Sequence, residues 1–300
     1  MNISSSSRPP ISSFGGFLRV MRRHPLVCYF LLAYGFSWLG WLPYVLSQSG
    51  VGLFPFHLAL WVVAPAGYGP LLSGFLMTAV TEGKTGVRHL LRRFVLWRVG
   101  WQWYPFAVLG IPVIRGLGAV ILPGVLATYR SSALGSVLLL YLSLLPVTFL
   151  TSGLAEEPGW RGFALPRLQR RHGPLLGTLI LALLWAGWHL PLFLTSWAPG
   201  SGLLTLIEFA IGTIALAIVI TWVFNHTQGS LLIAMLIHGA ADAFGPVFLF
   251  SHPLASTLLP VVVGFGAVAL LLIVVTRSRL GYQRALPLPD PMPILDGGKP

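Results

Sequence analysis

The chain alternates between long apolar runs and short polar segments. A transmembrane helix needs about 20 apolar residues, and eight runs reach that length: approximately 26–47, 58–80, 104–126, 134–153, 175–196, 203–224, 230–250 and 256–276. Each run predicts one helix, because a helix satisfies its own backbone hydrogen bonds in lipid. The predicted fold class is therefore all-α, a polytopic membrane helical bundle with about eight transmembrane helices.

The composition supports a membrane protein. Hydrophobic residues make up 55% of the 300 residues and charged residues 9%, against about 25% charged residues in a soluble domain. The net charge is +12, but the basic residues lie in short clusters between apolar runs and form no single patch. This distribution predicts the lipid bilayer as a partner and no nucleic acid. The single cysteine, Cys28, excludes an internal disulfide.

The positions of the basic residues predict the topology. Lys and Arg are abundant before the first run, in 81–102, in 154–174 and after the last run, and they are scarce in 48–57 and 127–133. Because cytoplasmic loops carry the excess of basic residues, this alternation predicts a multi-pass integral membrane protein with both termini cytoplasmic. The short loop 225–229 contains no basic residue and is assigned to the cytoplasm by parity alone.

The chain is interpreted as one membrane domain with two tails. Residues 1–24 are predicted to form a disordered cytoplasmic tail, since the first 13 are rich in Ser and Pro. The transmembrane domain is placed at 25–277, with its candidate catalytic motifs within 150–245. The Pro-rich residues 278–300 are predicted to form a second disordered cytoplasmic tail.

The candidate chemistry centres on two adjacent glutamates. The chain has only seven acidic residues, yet Glu156 and Glu157 stand side by side at the foot of the fourth run. A carboxylate at membrane depth costs roughly 2.5–3.5 kcal/mol on insertion scales, so the pair indicates a function. If Pro158 opens a helix, Glu157 and Arg161 share one face and can pair, while Glu156 points about 100° away. Glu156 is thus the candidate for chemistry, and the pair holds the turn.

Further titratable side chains lie inside the later runs. His189 precedes Pro191, which is expected to kink the helix and make room for water. His238 and Asp242 are four residues apart on one helical face. A single such residue usually only bonds neighbouring helices together. Together with Glu156, these residues form a set of the type that activates water or binds a divalent metal.

Several other polar residues carry no recognisable motif. The absence of HExxH excludes a zincin, and no GxSxG motif is present to support a serine protease. Thr148, Thr151 and Ser152 are interpreted as backbone-bonding residues of a membrane helix. Arg115 and Glu208 are interpreted as a buried pair or as helix-interface groups.

The two glutamates and the arginine resemble a known motif. Glu156-Glu157-x-x-x-Arg161 resembles the EExxxR motif of the CPBP family of intramembrane proteases, also called the CAAX-protease (CAAX prenyl protease type 2) or Abi family. The following sequence, PGWRGFALPRL, is typical of that family. The motif alone is a weak signal, so the other motifs matter.

Two more motifs follow in the family's order. Trp185-x-x-x-His189 is similar to its FxxxH motif, with Trp in place of Phe, a change expected only to reshape the cavity wall. His238-x-x-x-Asp242 is similar to its HxxxN-type motif, with Asp in place of Asn. The resemblance covers about residues 140–250 and does not include the first three runs.

The resemblance implies an activity and a role for each residue. It implies a cavity open toward the cytoplasm, in which a glutamate-activated water attacks a peptide carbonyl. On that basis Glu156 is the general base, and His189 and His238 orient the water. Asp242 stands where an oxyanion-stabilising Asn often lies, and because it is not an Asn that role is open. A Zn²⁺-type ion held by Glu156, His189 and His238 is the alternative.

Two classes of function are compatible with these residues. The first is an intramembrane endopeptidase that cuts near the end of a peptide or of a lipidated, membrane-associated protein. The second is a non-catalytic scaffold or immunity-type protein that binds a peptide or regulator in the same cavity. The presence of Glu156, His189 and His238 favours the enzyme. A transporter is not supported, since the halves of the chain show no repeat.

Overall fold

The computed structural model describes residues 13–120, 134–198, 202–251 and 259–283. Within these residues all regular structure is helical. The tails predicted for the first 12 residues and for 284–300 lie outside the described residues, as do positions 121–126 of the third predicted run.

Nine helices make up the described chain, and α2 to α9 correspond to the eight predicted runs. They are α1 (Ser13–Arg23), α2 (Pro25–Leu46), α3 (Leu60–Phe94), α4 (Trp103–Pro105, Phe106–Gly110 and Ile111–Ala119), α5 (Gly135–His172), α6 (Pro174–Trp188), α7 (Leu203–His226), α8 (Leu231–Ser251) and α9 (Leu259–Val275). By length and composition, α2, α3, α5, α7 and the segment Pro174–Leu194 can cross a membrane. The protein is a polytopic helical bundle, as predicted.

Both ends of the membrane domain differ from the prediction. Ser13–Arg23, assigned to a disordered tail, form the helix α1, because Met21 is buried against the bundle and Arg22 Nε donates to Val80 O at 3.0 Å. After α9 the chain folds back onto α7, where Leu280 is fully buried. Tertiary contacts hold both segments in place, and the local composition does not predict such contacts.

The fourth predicted run ends at 153, and the pairing of Glu157 with Arg161 is predicted for the case that Pro158 opens a new helix, but the structure has no break at either place. Helix α5 continues through the motif to its end at His172. The motif lies in a short α-helical stretch, Ala155–Gly159, between two wider π-helical stretches, Phe149–Leu154 and Trp160–Ala164. Proline lacks an N–H and crowds the preceding turn, and the wider turns let the helix continue past it. Such π-bulges are frequent at functional sites.

Small residues bring α5 against its neighbours. A Cβ on Gly153 would stand 2.6 Å from Met235 O of α8, and a Cβ on Gly239 of α8 would stand 2.9 Å from Phe149 N. Only glycine permits such backbone contact, which is how membrane helices approach closely. This packing places the two glutamates of α5 beside the histidine of α8.

Side-chain contacts group the segments predicted to be cytoplasmic at one end of the bundle. Arg22 joins α1 to Val80 of α3, and Arg167 joins α5 to Glu82 of α3. Ser230, in the turn between α7 and α8, bonds Leu96 just after α3, and Asn225 of α7 bonds Leu280 in the segment after α9. At the opposite end, Ser196 N donates to Ser49 O at 2.8 Å and joins two segments predicted to lie outside. The loop 225–229 therefore lies with the basic segments. That this end faces the cytoplasm stays a prediction from charge.

Candidate active site

Four candidate side chains from three helices line one cavity. Glu156 of α5, His189 after α6, and His238 and Asp242 of α8 surround a space of about 160 Å³. Three of them, Glu156, His189 and Asp242, also line a second cavity of about 190 Å³. The set thus stands where two cavities meet, and each cavity has room for several waters.

Glu156 is held by two indole groups. Its Oε2 accepts hydrogen bonds from Trp185 Nε1 at 2.6 Å and from Trp160 Nε1 at 3.1 Å. Its Oε1 receives no hydrogen bond from any described residue. The residue is only 6% exposed. One carboxylate oxygen is therefore fixed, and the other is available to a molecule in the cavity.

Glu157 joins the arginine of its own helix to the histidine of α8. Its Oε1 accepts from Arg161 at 2.8 Å and from His238 Nδ1 at 2.8 Å, and all three side chains are buried. The arginine is always charged, so the carboxylate beside it is the acceptor and His238 carries its proton on Nδ1. The predicted pair within α5 forms, and Glu157 also orients His238.

The other nitrogen of His238 faces Asp242. Its Nε2 lies 3.6 Å from Asp242 Oδ2, which is longer than a hydrogen bond. The Asp242 side chain is 43% exposed, whereas that of His238 is buried. Space for a bound group therefore remains at the mouth of the cavity.

His189 is oriented by the way its helix ends. The α-helix stops at Trp188 and passes into the 3₁₀ turn Leu190–Leu194 that contains Pro191. In this tighter turn the backbone N–H of His189 bonds Ala186 O at 3.2 Å, and its ring Nδ1 donates to Trp185 O at 3.0 Å. A carbonyl can only accept, so in the neutral ring Nε2 keeps its lone pair. The ring also stacks on Trp197, with centroids 5.6 Å apart.

The expectation that Trp185 only reshapes the cavity wall is wrong. Its indole donates to Glu156, its ring lies 4.5 Å from the Arg161 guanidinium, and its edge meets His238 at 5.0 Å between centroids. Phenylalanine has no N–H and cannot make the first contact. The sequence interpretation also missed Trp160, although its position four residues after Glu156 put it within reach on one helical face.

The residues without a motif have distinct places. Arg115 and Glu208 both line the first cavity, and Arg115 donates to Ala241 O at 3.0 Å. Thr148 and Thr151 donate to the backbone oxygens of Gly239 at 2.7 Å and Val147 at 2.9 Å. This is the bonding expected of hydroxyl residues in a membrane helix.

The histidines present their nitrogens as metal ligands would, but the candidate side chains lie too far apart to hold a metal ion. His189 and His238 each bond through Nδ1 and present Nε2, as metal-ligating histidines commonly do. Among the described residues, however, no three His, Cys, Asp or Glu side chains lie close enough together to hold an ion. Binding one would require these side chains to move together.

Comparison with known proteins finds similarity to the family that the motifs resemble. The model of the Rce1-like family, the type II CAAX prenyl endopeptidase Rce1-like proteins, matches residues 138–244, which include every candidate catalytic residue. The part of the chain that carries the candidate site is therefore similar to type II CAAX prenyl endopeptidases. A curated relative, the CAAX prenyl protease 2 of Methanococcus maripaludis, is 28% identical over 104 residues, or 33% of this chain. The matched region spans 36% of that relative's length, so the likeness concerns the part that carries the site.

Proposed function

We propose that this protein is an intramembrane endopeptidase that hydrolyses a peptide bond near the end of a peptide or of a lipidated, membrane-associated protein. The observation that carries the proposal is the convergence of Glu156, His189, His238 and Asp242 on one cavity inside the bundle. The similarity of residues 138–244 to type II CAAX prenyl endopeptidases supports the same reaction class.

The first step is the activation of a water. A water in the cavity donates one proton to the open oxygen of Glu156, and the Nε2 lone pair of His189 accepts a hydrogen bond from its other proton. As the first proton moves to the carboxylate, the water oxygen bonds to the substrate carbonyl carbon. The carbonyl electrons pass to its oxygen, which becomes an oxyanion. A positioned general base of this kind contributes typically 10²–10⁴-fold in rate.

The second step breaks the peptide bond. His238, with Nδ1 held by Glu157, can in its charged form donate Nε2–H toward the oxyanion. The oxyanion collapses, the C–N bond breaks, and Glu156 returns its proton to the leaving nitrogen. The products are a new carboxyl end and a new amino end. Fixed donors aimed at the oxyanion are typically a large part of such catalysis.

The same donors would hold a divalent metal only after moving together, because their spacing among the described residues is too wide to hold an ion. Glu156 and the Nε2 atoms of His189 and His238 would hold it, and a bound Zn²⁺ supplies a water with a pKa of about 7. The steps above describe what the residues of this chain do themselves. Metal content is therefore measured alongside activity.

The test is cleavage by the purified protein. A peptide library, with and without a lipid anchor, is incubated with the protein in lipid discs, and the new chain ends are sequenced. We expect Glu156→Gln and His189→Gln each to lower the rate at least ~100-fold, and the double variant to be no slower than the worse single variant. Full cleavage by Glu156→Gln would contradict the mechanism. Peptide binding without cleavage in the unmodified protein would instead favour the scaffold.

A matched control exists for the histidine. His226 also follows a tryptophan by four residues, and its Nδ1 bonds Trp222 O at 2.8 Å. It lies exposed at the end of α7 and lines neither active-site cavity. His226→Gln should therefore keep the activity that His189→Gln loses.

A further inference from the structure

A separate pocket lies at the end of the bundle where the basic segments meet. It encloses about 280 Å³ between the second half of α3, the last turns of α5 and the chain after α9. It shares no lining residue with either active-site cavity. Its polar lining consists mainly of Glu82, His89, Arg93, Arg167, Arg170 and Tyr282.

One arginine of this pocket is already paired. Arg167 Nη2 donates to Glu82 Oε1, and its Nη1 donates to Phe163 O at 2.7 Å. Its guanidinium also lies 3.7 Å from the centre of the Phe163 ring. Arg167 and Glu82 therefore neutralise each other, and Glu82 is the one carboxylate that the described residues contribute to the lining.

The other two arginines have no acceptor among the described residues. Neither Arg93 nor Arg170 forms an ion pair or a hydrogen bond there. Arg93 is half-buried, and two of its guanidinium atoms lie 3.7 Å from the place of a Cβ on Gly229. Three arginines against one carboxylate leave an excess of two positive charges in the lining. Like charges in one pocket repel each other, and an anion would remove that repulsion.

We propose that this pocket binds a phosphate group, and that an anionic lipid headgroup supplies it. Guanidinium groups present a planar fork of donors that matches phosphate oxygens, and the hydroxyl of Tyr282 adds another. The pocket lies at the end of the bundle where Arg22 of the amphipathic α1 contacts α3. Basic pockets between transmembrane helices on the cytoplasmic side typically bind lipid headgroups. The site is independent of the proposed proteolysis.

The test compares two pairs of arginines on the same helices. The full chain is placed in phosphatidylcholine discs containing a small fraction of phosphatidylglycerol, and the retained phosphatidylglycerol is measured by native mass spectrometry. Arg93→Gln/Arg170→Gln should lower retention about tenfold. The control Arg88→Gln/Arg171→Gln removes two exposed arginines outside the pocket and should change retention less than twofold. Arg93→Lys keeps the positive charge but lacks the planar guanidinium donors. Its loss of phosphatidylglycerol retention should lie between those of the pocket and control variants, in a protein that remains folded.

A second arm separates the two sources of phosphate. Inorganic phosphate is added to discs of pure phosphatidylcholine, and the unfolding temperature is followed, since a ligand of the folded state raises it. A rise with phosphate that the pocket variant lacks, without selective retention of phosphatidylglycerol, supports the site but assigns it to a soluble phosphate compound. Equal losses in the pocket and control variants would overturn the proposal, because only diffuse attraction to the basic face would remain. So would an unmodified protein that binds neither ligand.

Discussion

Trp185 Nε1 lies 2.6 Å from Glu156 Oε2, and this hydrogen bond joins α6 to the middle of α5. The tryptophan stands where the family's motif has phenylalanine, so the bond is a feature of this chain and not of the motif. Since Trp160 bonds the same oxygen, the orientation of the carboxylate is fixed from two sides. The geometry leaves Oε1 for a water.

Trp185→Phe should lower kcat and leave KM nearly unchanged. The change keeps an aromatic ring but removes the donor, so Glu156 can turn away from the water. A hydrogen bond to a charged group is worth about 1.5–3 kcal/mol, and partial loss of that positioning corresponds to roughly tenfold in rate. Steady-state cleavage kinetics of the purified variant check this.

Trp188→Phe is the matched control. Trp188 is equally buried, at 2% exposure, but its Nε1 has no acceptor in the described chain. Its replacement costs the same volume without a hydrogen bond to the carboxylate. Equal kcat values for the two variants would show that the size of the ring matters and that the indole donor does not.

Arg161→Met should destabilise the fold strongly. Arg161 and Glu157 are both fully buried and 2.8 Å apart, and removing one partner of a buried pair costs about 3–5 kcal/mol. Glu157→Gln should cost less, because the amide oxygen still accepts from Arg161 and His238. Activity should fall in both variants, since Glu157→Gln removes the anion that orients His238, and Arg161→Met removes the positive charge that holds this anion in place. Heat and denaturant unfolding of the purified variants in detergent measures the loss of folding stability.

An exposed ion pair provides the comparison for this loss. Glu82 pairs with Arg167, and the pair is exposed mainly at the glutamate: the Glu82 side chain is 46% exposed and that of Arg167 13%. Exposed pairs are worth about 0–1 kcal/mol, so Glu82→Gln should leave the unfolding transition almost unchanged. A loss as large as that of Arg161→Met would mean that burial does not set the strength of these pairs.

Reporter fusions can test the orientation of the bundle. Fusions after residues 50, 130 and 200 should all read as extracytoplasmic. Each of these positions lies in a segment between apolar runs that has few or no Lys and Arg residues. A fusion after residue 228 is the sharpest of the series. Its loop has no basic residue, yet contacts place it with the basic segments, so it should read as cytoplasmic. A cytoplasmic signal at 200 would reverse the placement of the two histidines.

The length of the apolar runs alone predicted helices α2 to α9, because a membrane-spanning helix must be long and apolar whatever its neighbours are. Their ends were less predictable where tertiary contacts decide them. The buried side chain of Met21 packs α1 against the bundle. The π-helical turns beside Pro158 allow α5 to continue beyond residue 153, where the apolar run ends. Neither effect has a signal in local composition.

The site was predictable where its geometry is local. The spacing of Glu157 and Arg161 on one helix implied their pair, and the structure has it. The bond from His238 to Glu157 depends instead on how closely α5 and α8 pack, which Gly153 and Gly239 allow. Contacts between helices that are distant in sequence cannot be deduced from spacing.

Asp242→Asn distinguishes the two mechanisms of water activation. Asp242 Oδ2 lies 3.6 Å from His238 Nε2, and the side chain faces both cavities. Without a metal, this position can add a second oxyanion donor beside His238, but an ionised Asp has no proton to donate. Asn supplies a permanent donor, so activity should be kept or raised and should extend to higher pH. One oxyanion donor is worth about 10²–10³-fold in rate.

In a metal site the same substitution has the opposite effect. Asp242 would then contribute negative charge beside the ion, and Asn would lower both metal occupancy and activity. Metal content of the purified protein, measured by mass spectrometry beside the cleavage rate of Asp242→Asn, separates the two mechanisms. We expect the metal-free result, because among the described residues no three His, Cys, Asp or Glu side chains lie close enough together to hold an ion. Stoichiometric zinc that disappears from the variant together with its activity would refute this expectation and assign the water to the metal.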